Sequence, residues 1–271
     1  MLLTPAGGNR FEAVGPNTGT SKGVDVTSDA SADTYGSYAE LVAATDHDAN
    51  WLTVHICDAG TKAYFALDVA VGAVSSEQTV IEKFRFFVTT AQGTSFTLPV
   101  FVPAGSRLSA RLMDSTTSAR TVSVAAYLAW TDAVTPGARI ELLDDGGASQ
   151  GMNVASSATA NTKGSWTAFS SNTGFDYRWL FLAAQPFDSA PTSAIGQLLD
   201  VGVGAASSEQ VVIPNLFFHL ETASTDALYP PVTALFPVSI PENTRIALRQ
   251  QSESGAFVDS YTVSYSLYGI G

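Results

Sequence analysis

The sequence predicts an all-β protein made of two tandem β-sandwich domains with a jelly-roll-like topology. Two observations support this prediction. The segment Asp68–Ile81 returns as Asp200–Ile213 with eleven of its fourteen positions identical, which marks a duplicated structural unit. Stretches rich in β-branched and aromatic residues, bounded by Gly, Pro, Ser and Asp clusters, follow one another through both copies, and none has the apolar stripe of a helix.

The repeat extends over most of the chain, and the offset between the copies grows in steps. It is 128 residues between Gly36–Tyr38 and Gly164–Trp166, and it reaches 138 residues between Arg107 and Arg245. Insertions are tolerated in surface turns and not within strands, so we expect loops wherever the second copy is longer. These loops are expected near 187–191, 224–231 and 251–255.

Each copy contains about eight or nine short strand-like stretches, which is the spacing of a β-sandwich or jelly roll. In Arg107–Leu112 the basic and small residues alternate with aliphatic ones, so a period of two places the leucines on a core face. The stretches with the clearest strand composition are Trp51–Cys57, Tyr64–Val71, Thr79–Val88 and Thr121–Leu128.

The length of 271 residues suits two domains of roughly 120 to 135 residues each. The turn-like composition of Thr131–Gly137 predicts the junction between them. We therefore expect an N-terminal arm with a first strand at Arg10–Val14, a first sandwich, a linker with a lead-in strand, and a second sandwich. The predicted segments are 1–22, 23–131, 132–150 and 151–271.

Composition excludes several classes of partner. The net charge is −12 and lysines and arginines do not cluster, which argues against nucleic acid and anionic membranes. No run of about 18 apolar residues exists, so we expect no membrane insertion. Met1–Pro5 lacks the features of a secretory signal, which predicts synthesis in the cytoplasm. Cys57 is the single cysteine, so neither an intramolecular disulfide nor a cysteine metal cluster can form.

The sequence predicts no catalytic residue, no metal ligand and no cofactor. His47, His55 and His219 lack the partner motifs of a Ser-His-Asp or Cys-His site. Cys57 follows His55 by two residues and shares its strand face; we expect a small core side chain there, with a reactive pair as the alternative. Asp46–Asp48 lacks the spacing of a calcium loop, which favours a solvated turn.

A set of charged residues recurs in both copies of a chain that has few charges. Such recurrence predicts ion pairs that pin a turn to a neighbouring strand, because a guanidinium group binds carboxylates bidentately. A ligand or subunit contact is the alternative. The set comprises Asp68, Glu77, Arg107 and Arg111 in the first copy and Asp200, Glu209, Arg245 and Arg249 in the second.

Aromatic residues supply the other candidate surface. Trp166 and Trp179 align with aromatic residues of the first copy, so we expect both in the core. Tyr229 belongs to an insertion found in the second copy only, where a loop aromatic can stack on a sugar or enter a pocket of a partner. The alternative is a proline-stiffened loop that packs on its own sandwich. Phe187, in another expanded turn, is the second candidate contact.

The motifs at Asp200–Leu216 and Phe236–Ala247, with weaker versions at Asp68–Ile81 and Leu98–Ala110, resemble small β-rich virion proteins of tailed bacteriophages. The resemblance covers most of both repeats. It implies a head-decoration, fibre or tail-associated component and carries no catalytic assignment. The first copy departs from the pattern at Glu82–Phe84, where the second copy has Pro-Asn-Leu.

From these observations we expect a non-enzymatic structural protein of the virion: a capsid decoration or cement protein, a fibre or a tail-associated component. Its expected partners are other proteins of the capsid or tail, together with further copies of itself in a homo-oligomer. The alternative function is binding of host-surface glycan, as an adhesin or carbohydrate-binding module. A glycoside hydrolase with paired carboxylates ranks last.

Overall fold

In the computed structural model the chain forms two compact units, Met1–Phe84 with Val88–Ile140 and Arg85–Phe87 with Glu141–Gly271. Every regular element among the described residues is a β-strand. The described residues are 10–16, 19, 22–57, 63–88, 93–130, 139–143, 151–188, 195–220, 228–229, 233–254 and 261–271. Most of the predicted N-terminal arm and linker lies outside them.

The described strands of the first unit belong to two antiparallel sheets. One sheet has the order β1-β9-β4-β7 with β2 also on β9, and the other has the order β3-β8-β5-β6. The strands are β1 (Arg10–Val14), β2 (Val24–Thr27), β3 (Ala39–Val42), β4 (Trp51–Cys57), β5 (Ala63–Val71), β6 (Gln78–Val88), β7 (Thr94–Leu98), β8 (Leu108–Asp114) and β9 (Thr121–Trp130).

The second unit repeats this plan. Its sheets have the orders β10-β19-β13-β17, with β11 also on β19, and β12-β18-β14-β15-β16. The strands are β10 (Ile140–Leu142), β11 (Met152–Val154), β12 (Thr167–Ser170), β13 (Tyr177–Asp188), β14 (Ile195–Val203), β15 (Gln210–Leu220), β16 (Leu228–Tyr229), β17 (Thr233–Ile240), β18 (Ile246–Ser252) and β19 (Tyr261–Ile270).

The strand order in both units is that of a jelly roll. In the first unit β2 pairs with β9, β3 with β8, β4 with β7 and β5 with β6, so the pairs are nested like one long hairpin rolled into two sheets. The second unit nests its strands in the same way. This arrangement confirms the predicted all-β class and the duplicated sandwich.

Alternating side chains fill the space between the two sheets of each unit. In β4 the residues Leu52, Val54 and Ile56 are fully buried, and the residues between them are half-buried or exposed. The period of two therefore sets which face of the strand enters the core. Leu108 and Leu112 of β8 are fully buried, as their alternation predicts.

Three expectations about individual residues are wrong. Phe187, expected in a loop, lies near the end of β13, and its backbone pairs with Thr262 of β19. Trp179, expected in the core, is 38% exposed, because it lies on the outer face of β13. Cys57, also expected inside, is exposed at the end of β4, since its parity places it with His55 on the outer face.

Candidate functional site

An arginine and an aspartate face each other across neighbouring strands in each unit. Asp68 of β5 is the register partner of Arg111 of β8, and the Arg111 Nε donates to Asp68 Oδ2 over 2.8 Å. In the second unit Asp200 of β14 faces Arg249 of β18, with Nε 2.9 Å from Oδ2. The aspartate side chains are only 1% and 4% exposed.

The other carboxylate oxygen of each aspartate, Oδ1, accepts hydrogen bonds from two further groups. Asp68 Oδ1 accepts from the Tyr35 hydroxyl over 2.7 Å and from the backbone N–H of Lys83 over 2.8 Å. Lys83 has a φ of 47°, a left-handed conformation that costs energy for a residue with a side chain. Arg111 Nη2 also lies 2.7 Å from Oδ2, so four contacts from three neighbours hold this one buried carboxylate.

The second unit keeps this geometry with exchanged side chains. Lys163 takes the place of Tyr35, and its Nζ lies 2.8 Å from Asp200 Oδ1. Asn215 takes the place of Lys83, keeps a φ of 50° and donates its backbone N–H to the same oxygen over 2.9 Å. Lys163 Nζ also binds the Asn215 side-chain oxygen over 2.9 Å.

Aromatic rings lie against the same arginines. The Arg111 guanidinium carbon lies 4.8 Å from the ring centroid of Tyr38, and that of Arg249 lies 4.4 Å from the ring of Trp166. Such distances are those of cation–π contacts. The repeated Gly-Ser-aromatic motif in the sequence is thus the platform beneath the repeated arginine, a role that sequence reasoning missed.

A second arginine in each unit holds the turn that follows the repeated strand. Arg107 Nη1 donates to Glu77 Oε1 over 3.1 Å, and Arg245 Nη1 donates to Glu209 Oε1 over 2.7 Å. The same nitrogens lie 3.4 Å from the carbonyl oxygens of the turn glycines, which have φ values of 117° and 109°. The structure therefore brings the eight recurring residues together as four pairs, two in each unit.

These contacts shift the pKa values of several groups. Burial opposes the charge of Asp200, but hydrogen bonds from Lys163, Asn215 and Arg249 outweigh it and lower the pKa of this carboxyl group. Burial likewise opposes the charge of Glu209, while hydrogen bonds and Arg245 lower its pKa. These carboxylates are held ionised by their partners, which is a state suited to holding strands together.

The Asp46–Asp48 turn serves the scaffold. Asp48 Oδ1 accepts the backbone N–H of Ala104 over 2.7 Å, and Asp176 of the second unit accepts that of Glu242 over 2.8 Å. Within the described part of the chain, no three His, Cys, Asp or Glu side chains form a group that could hold a metal ion. Nor does that part contain a helix long and apolar enough to cross a membrane.

The structure describes only the backbones of the two aromatic residues that were proposed as partner contacts. Tyr229 lies in the two-residue strand β16 and pairs with His219 of β15. Phe187 lies in β13, as described above. Their side chains lie outside what the structure describes, so their role in partner or glycan binding stays a prediction.

The outer face of the β1-β9-β4-β7 sheet carries a group of aromatic and hydroxyl side chains that sequence reasoning did not single out. Phe11 is 67% exposed and Tyr127 is 43% exposed, and both point away from the core. We call this surface the aromatic face, and it consists of Phe11, Trp51, Thr53, His55, Thr97 and Tyr127.

Neighbours on the aromatic face contact one another. The rings of His55 and Tyr127 meet edge to face with their centroids 5.1 Å apart. The hydroxyl oxygens of Thr53 and Thr97 lie 2.8 Å apart in a hydrogen bond. Thr53 is also the register partner of Tyr127, so these four side chains lie side by side on β7, β4 and β9.

No protein-family model and no curated protein matches the chain. Solved structures do match it. PNGase F from Flavobacterium meningosepticum, a glycosylasparaginase, is 11% identical, with 97% of this chain and 95% of that chain covered and a TM-score of 0.43. The chain spans 64% of the length of PNGF-II, with 8% identity and a TM-score of 0.41.

Weaker matches include a viral capsid protein and a pair of carbohydrate-binding modules. VP2 of the infectious bursal disease virus subviral particle is 12% identical over 97% of this chain and 71% of that chain, with a TM-score of 0.28. The CBM22 tandem of Paenibacillus barcinonensis Xyn10C is 9% identical over 98% and 94%, with a TM-score of 0.27. At such identities the likeness concerns the all-β fold alone.

The PNGase F matches contradict the prediction that the protein is not an enzyme. That prediction was based on the absence of catalytic motifs from the sequence. Catalytic groups can come together from distant strands without any local motif, so a search along the sequence does not exclude them. We therefore correct this prediction.

Proposed function

We propose that the protein is a structural component of a bacteriophage virion, as a capsid decoration or cement protein, a fibre or a tail-associated component. The observation that carries the proposal is the position of the phage-like motifs. Asp200–Leu216 comprises the end of β14, the turn held by Arg245 and the first half of β15. The residues that carry the resemblance are therefore those that build the duplicated scaffold of this chain.

The fold is compatible with this role. Double-sheet jelly rolls are common in viral capsid and lectin domains. A fold by itself does not determine function, which has to be argued from surfaces and sites. The jelly-roll order therefore supports two candidate functions, virion structure and glycan binding, and the exposed surfaces have to distinguish them.

Exposed apolar side chains on β15 support contacts with other proteins. Phe217 is 57% exposed, Val211 41% and Val212 36%. Leu198, the register partner of Phe217 on β14, is half-buried beside it. Exposed groups of apolar side chains mark interaction surfaces, so we expect another virion protein or a second copy of the chain to contact this strand.

Analysis of particle composition tests the proposal. Phage particles released by the source culture are purified on a density gradient, and their proteins are identified by mass spectrometry. We expect peptides of this protein to band with the particles at a constant ratio to the major capsid protein. Recovery from the soluble fraction alone would contradict a virion location. Sedimentation equilibrium of the purified protein gives its oligomeric state independently.

Glycan binding is the second candidate function. The specific observation in its favour is the aromatic face of the first unit, where exposed rings lie beside hydroxyl groups. Both functions are compatible in one virion protein that also attaches to the surface of a host cell.

A further inference from the structure

We propose that the aromatic face of the first unit binds a neutral polysaccharide chain. The inference depends on the second candidate function, glycan binding, and is independent of the virion proposal. It assigns a site and a ligand class to that function.

The exposed rings supply the surface on which a sugar ring can stack. Phe11 on β1 and Tyr127 on β9 are the most exposed aromatic side chains of this sheet, and Trp51 on β4 is half-buried beside them. An aromatic side chain offers a large apolar surface, and tyrosine adds a hydroxyl group that can bind a polar partner. Sugars also combine an apolar C–H face with hydroxyl groups, so the two surfaces are complementary.

Hydrogen-bonding groups lie next to these rings. The Thr53 and Thr97 hydroxyls each retain further acceptor capacity beyond their mutual 2.8 Å bond. His55 is exposed and contacts Tyr127 edge to face, which restricts the orientations of its ring before any ligand arrives. Preorganised side chains lose less conformational entropy on binding.

The aromatic face lacks charge. On the described parts of β1, β4, β7 and β9, the outward-facing side chains include neither acids nor Lys or Arg. Glu12 has the opposite parity on β1 and accepts the backbone N–H of Asp46 over 2.9 Å. The nearest charged groups lie at its edges and are acidic: Glu12 and Asp48 line a small pocket with Phe11, and Asp25 of β2 lies opposite Ser123. These acids and the net charge of −12 oppose anionic ligands. A neutral glycan is the ligand class that fits.

The first unit exposes this face, whereas the equivalent positions of the second unit carry apolar side chains that are mostly buried. Thr53 pairs with Thr97, and the equivalent pair in the second unit is Phe181 with Leu235 in the same register. His55 is likewise replaced by Ala183 at the equivalent position. Phe181 and Ala183 are only 2% and 4% exposed, so these positions are closed to solvent in the second unit and the candidate site is confined to the first.

The extent of the aromatic face suits a polymer. Phe11, Tyr127, Thr53 and Thr97 lie on four adjacent strands, which span three inter-strand spacings of roughly 4.8 Å, or about 14 Å in all. An open sheet face of this width holds an extended chain of several sugar units better than a single monosaccharide, which small-molecule sites enclose in a cleft.

Affinity electrophoresis of the full chain tests the inference. Native gels contain hydroxyethylcellulose, xylan, galactomannan or dextran, and retardation relative to a gel without polysaccharide measures binding. We expect at least one polymer to retard the wild-type protein. Tyr127→Ala and Phe11→Ala should each weaken binding by about tenfold, and the double variant should run as if no polymer were present. His55→Ala introduces the residue of the second copy and should weaken binding without loss of folding.

Trp179→Ala is the matched control, because Trp179 is an exposed aromatic residue of the second unit, at 38%, and lies outside the aromatic face. Its retardation should equal that of the wild type. Failure of every polymer to retard the wild-type protein would overturn both the inference and the glycan function. Undiminished retardation of the Tyr127→Ala protein would overturn the site alone. Sedimentation of Tyr127→Ala as a smaller species than the wild type would assign the aromatic face to self-association instead.

Discussion

Arg249 on β18 lies directly opposite Asp200 on β14, with its Nε 2.9 Å from Oδ2. In the first unit Arg111 on β8 lies opposite Asp68 on β5, and its Nε is 2.8 Å from Oδ2. A carboxylate that is almost fully buried needs such partners, because an uncompensated buried charge is strongly destabilising. Because this buried ion pair occurs in both units, its contribution to stability can be tested twice in a single chain.

Arg249→Met should destabilise the protein by about 2 kcal/mol, below the usual cost of a broken buried pair because the arginine is partly exposed. Asp200 would keep its hydrogen bonds from Lys163 and Asn215. Urea unfolding measures the change. Lys22→Met is the control, since Lys22 and Asp25 form an exposed pair whose loss should cost less than about 0.5 kcal/mol. Equal effects of the two substitutions would contradict the role of Arg249.

Arg107→Met should lower the melting temperature, because Arg107 joins β8 to the turn through Glu77 and also binds Glu40 over 2.9 Å. Its loss leaves the half-buried Glu77 without its ion pair. We expect a decrease of several degrees in thermal unfolding, corresponding to about 1 to 2 kcal/mol. An unchanged melting temperature would show that this pair does not hold the turn.

Low pH should lower the folding stability of the second unit, because it protonates Asp200 and Glu209. Their pKa values in the folded protein lie below the ordinary values of 3.8 and 4.5. The unfolded chain therefore binds more protons near these values, and stability increases with pH there. The stabilising contribution is complete above about pH 5 and is lost as pH falls through the folded pKa values. Urea unfolding from about pH 2 to pH 6 measures this slope, which should be smaller in Asp200→Asn. An identical slope in that variant would exclude Asp200 as a contributor.

Gly36→Ala should cost about 3 kcal/mol, because the added Cβ would lie 2.0 Å from the backbone oxygen of Thr27. A carbonyl oxygen in a sheet cannot move aside without loss of pairing. Gly105→Ala is the control: its φ of 73° carries a penalty of about 1 kcal/mol, but the new Cβ meets nothing within 4 Å. Denaturant unfolding of both variants should separate steric overlap from backbone strain, and the reverse order of stability would contradict this account.

The core of the second unit contains a polar network. Tyr265 donates to Gln250 Oε1 over 2.7 Å, and Gln250 Nε2 donates to Gln197 Oε1 over 2.7 Å. Tyr265→Phe should cost about 2 kcal/mol, because a buried amide oxygen loses its partner. Replacing all three residues together, Tyr265→Phe with Gln250→Leu and Gln197→Leu, should recover most of that loss in denaturant unfolding.

The first unit supports this expectation. Its equivalent positions are the fully buried Phe65, Leu112 and Val124, so an apolar version of the same core already exists in this chain. A triple variant less stable than Tyr265→Phe would show that the network contributes more than its hydrogen bonds.

Most of the fold could be predicted from the sequence because strands leave a local signal. The stretch Trp51–Cys57 is predicted and observed with the same ends, and β5, β6 and β9 differ from prediction by one or two residues. Side-chain alternation and turn residues act within a few positions, and those are the distances that a sequence shows directly.

Exposure was harder to predict because it depends on which strand lies beside which. Cys57 ends a strand that the sequence predicts with the correct bounds, and Trp179 lies in the matching strand of the second copy, yet both residues were expected in the core and are exposed. The contacts of Tyr35 and Lys163 with the buried aspartates join segments more than thirty residues apart, and different residue types fill the same role in the two copies. The aromatic face leaves no signal in the repeat, because Thr53, His55 and Thr97 are not retained in the second copy.

The pairing of β1 with β9 has a consequence for how such a unit can be reused. Arg10 lies opposite Trp130, so the unit begins and finishes on neighbouring strands. β10 lies beside β19 in the same manner. A module whose two ends meet can be joined to another by a short connector, or placed within a loop of an unrelated protein, while its nested strands stay undisturbed. This chain is one product of that modularity, and longer arrays of the same module are open to design.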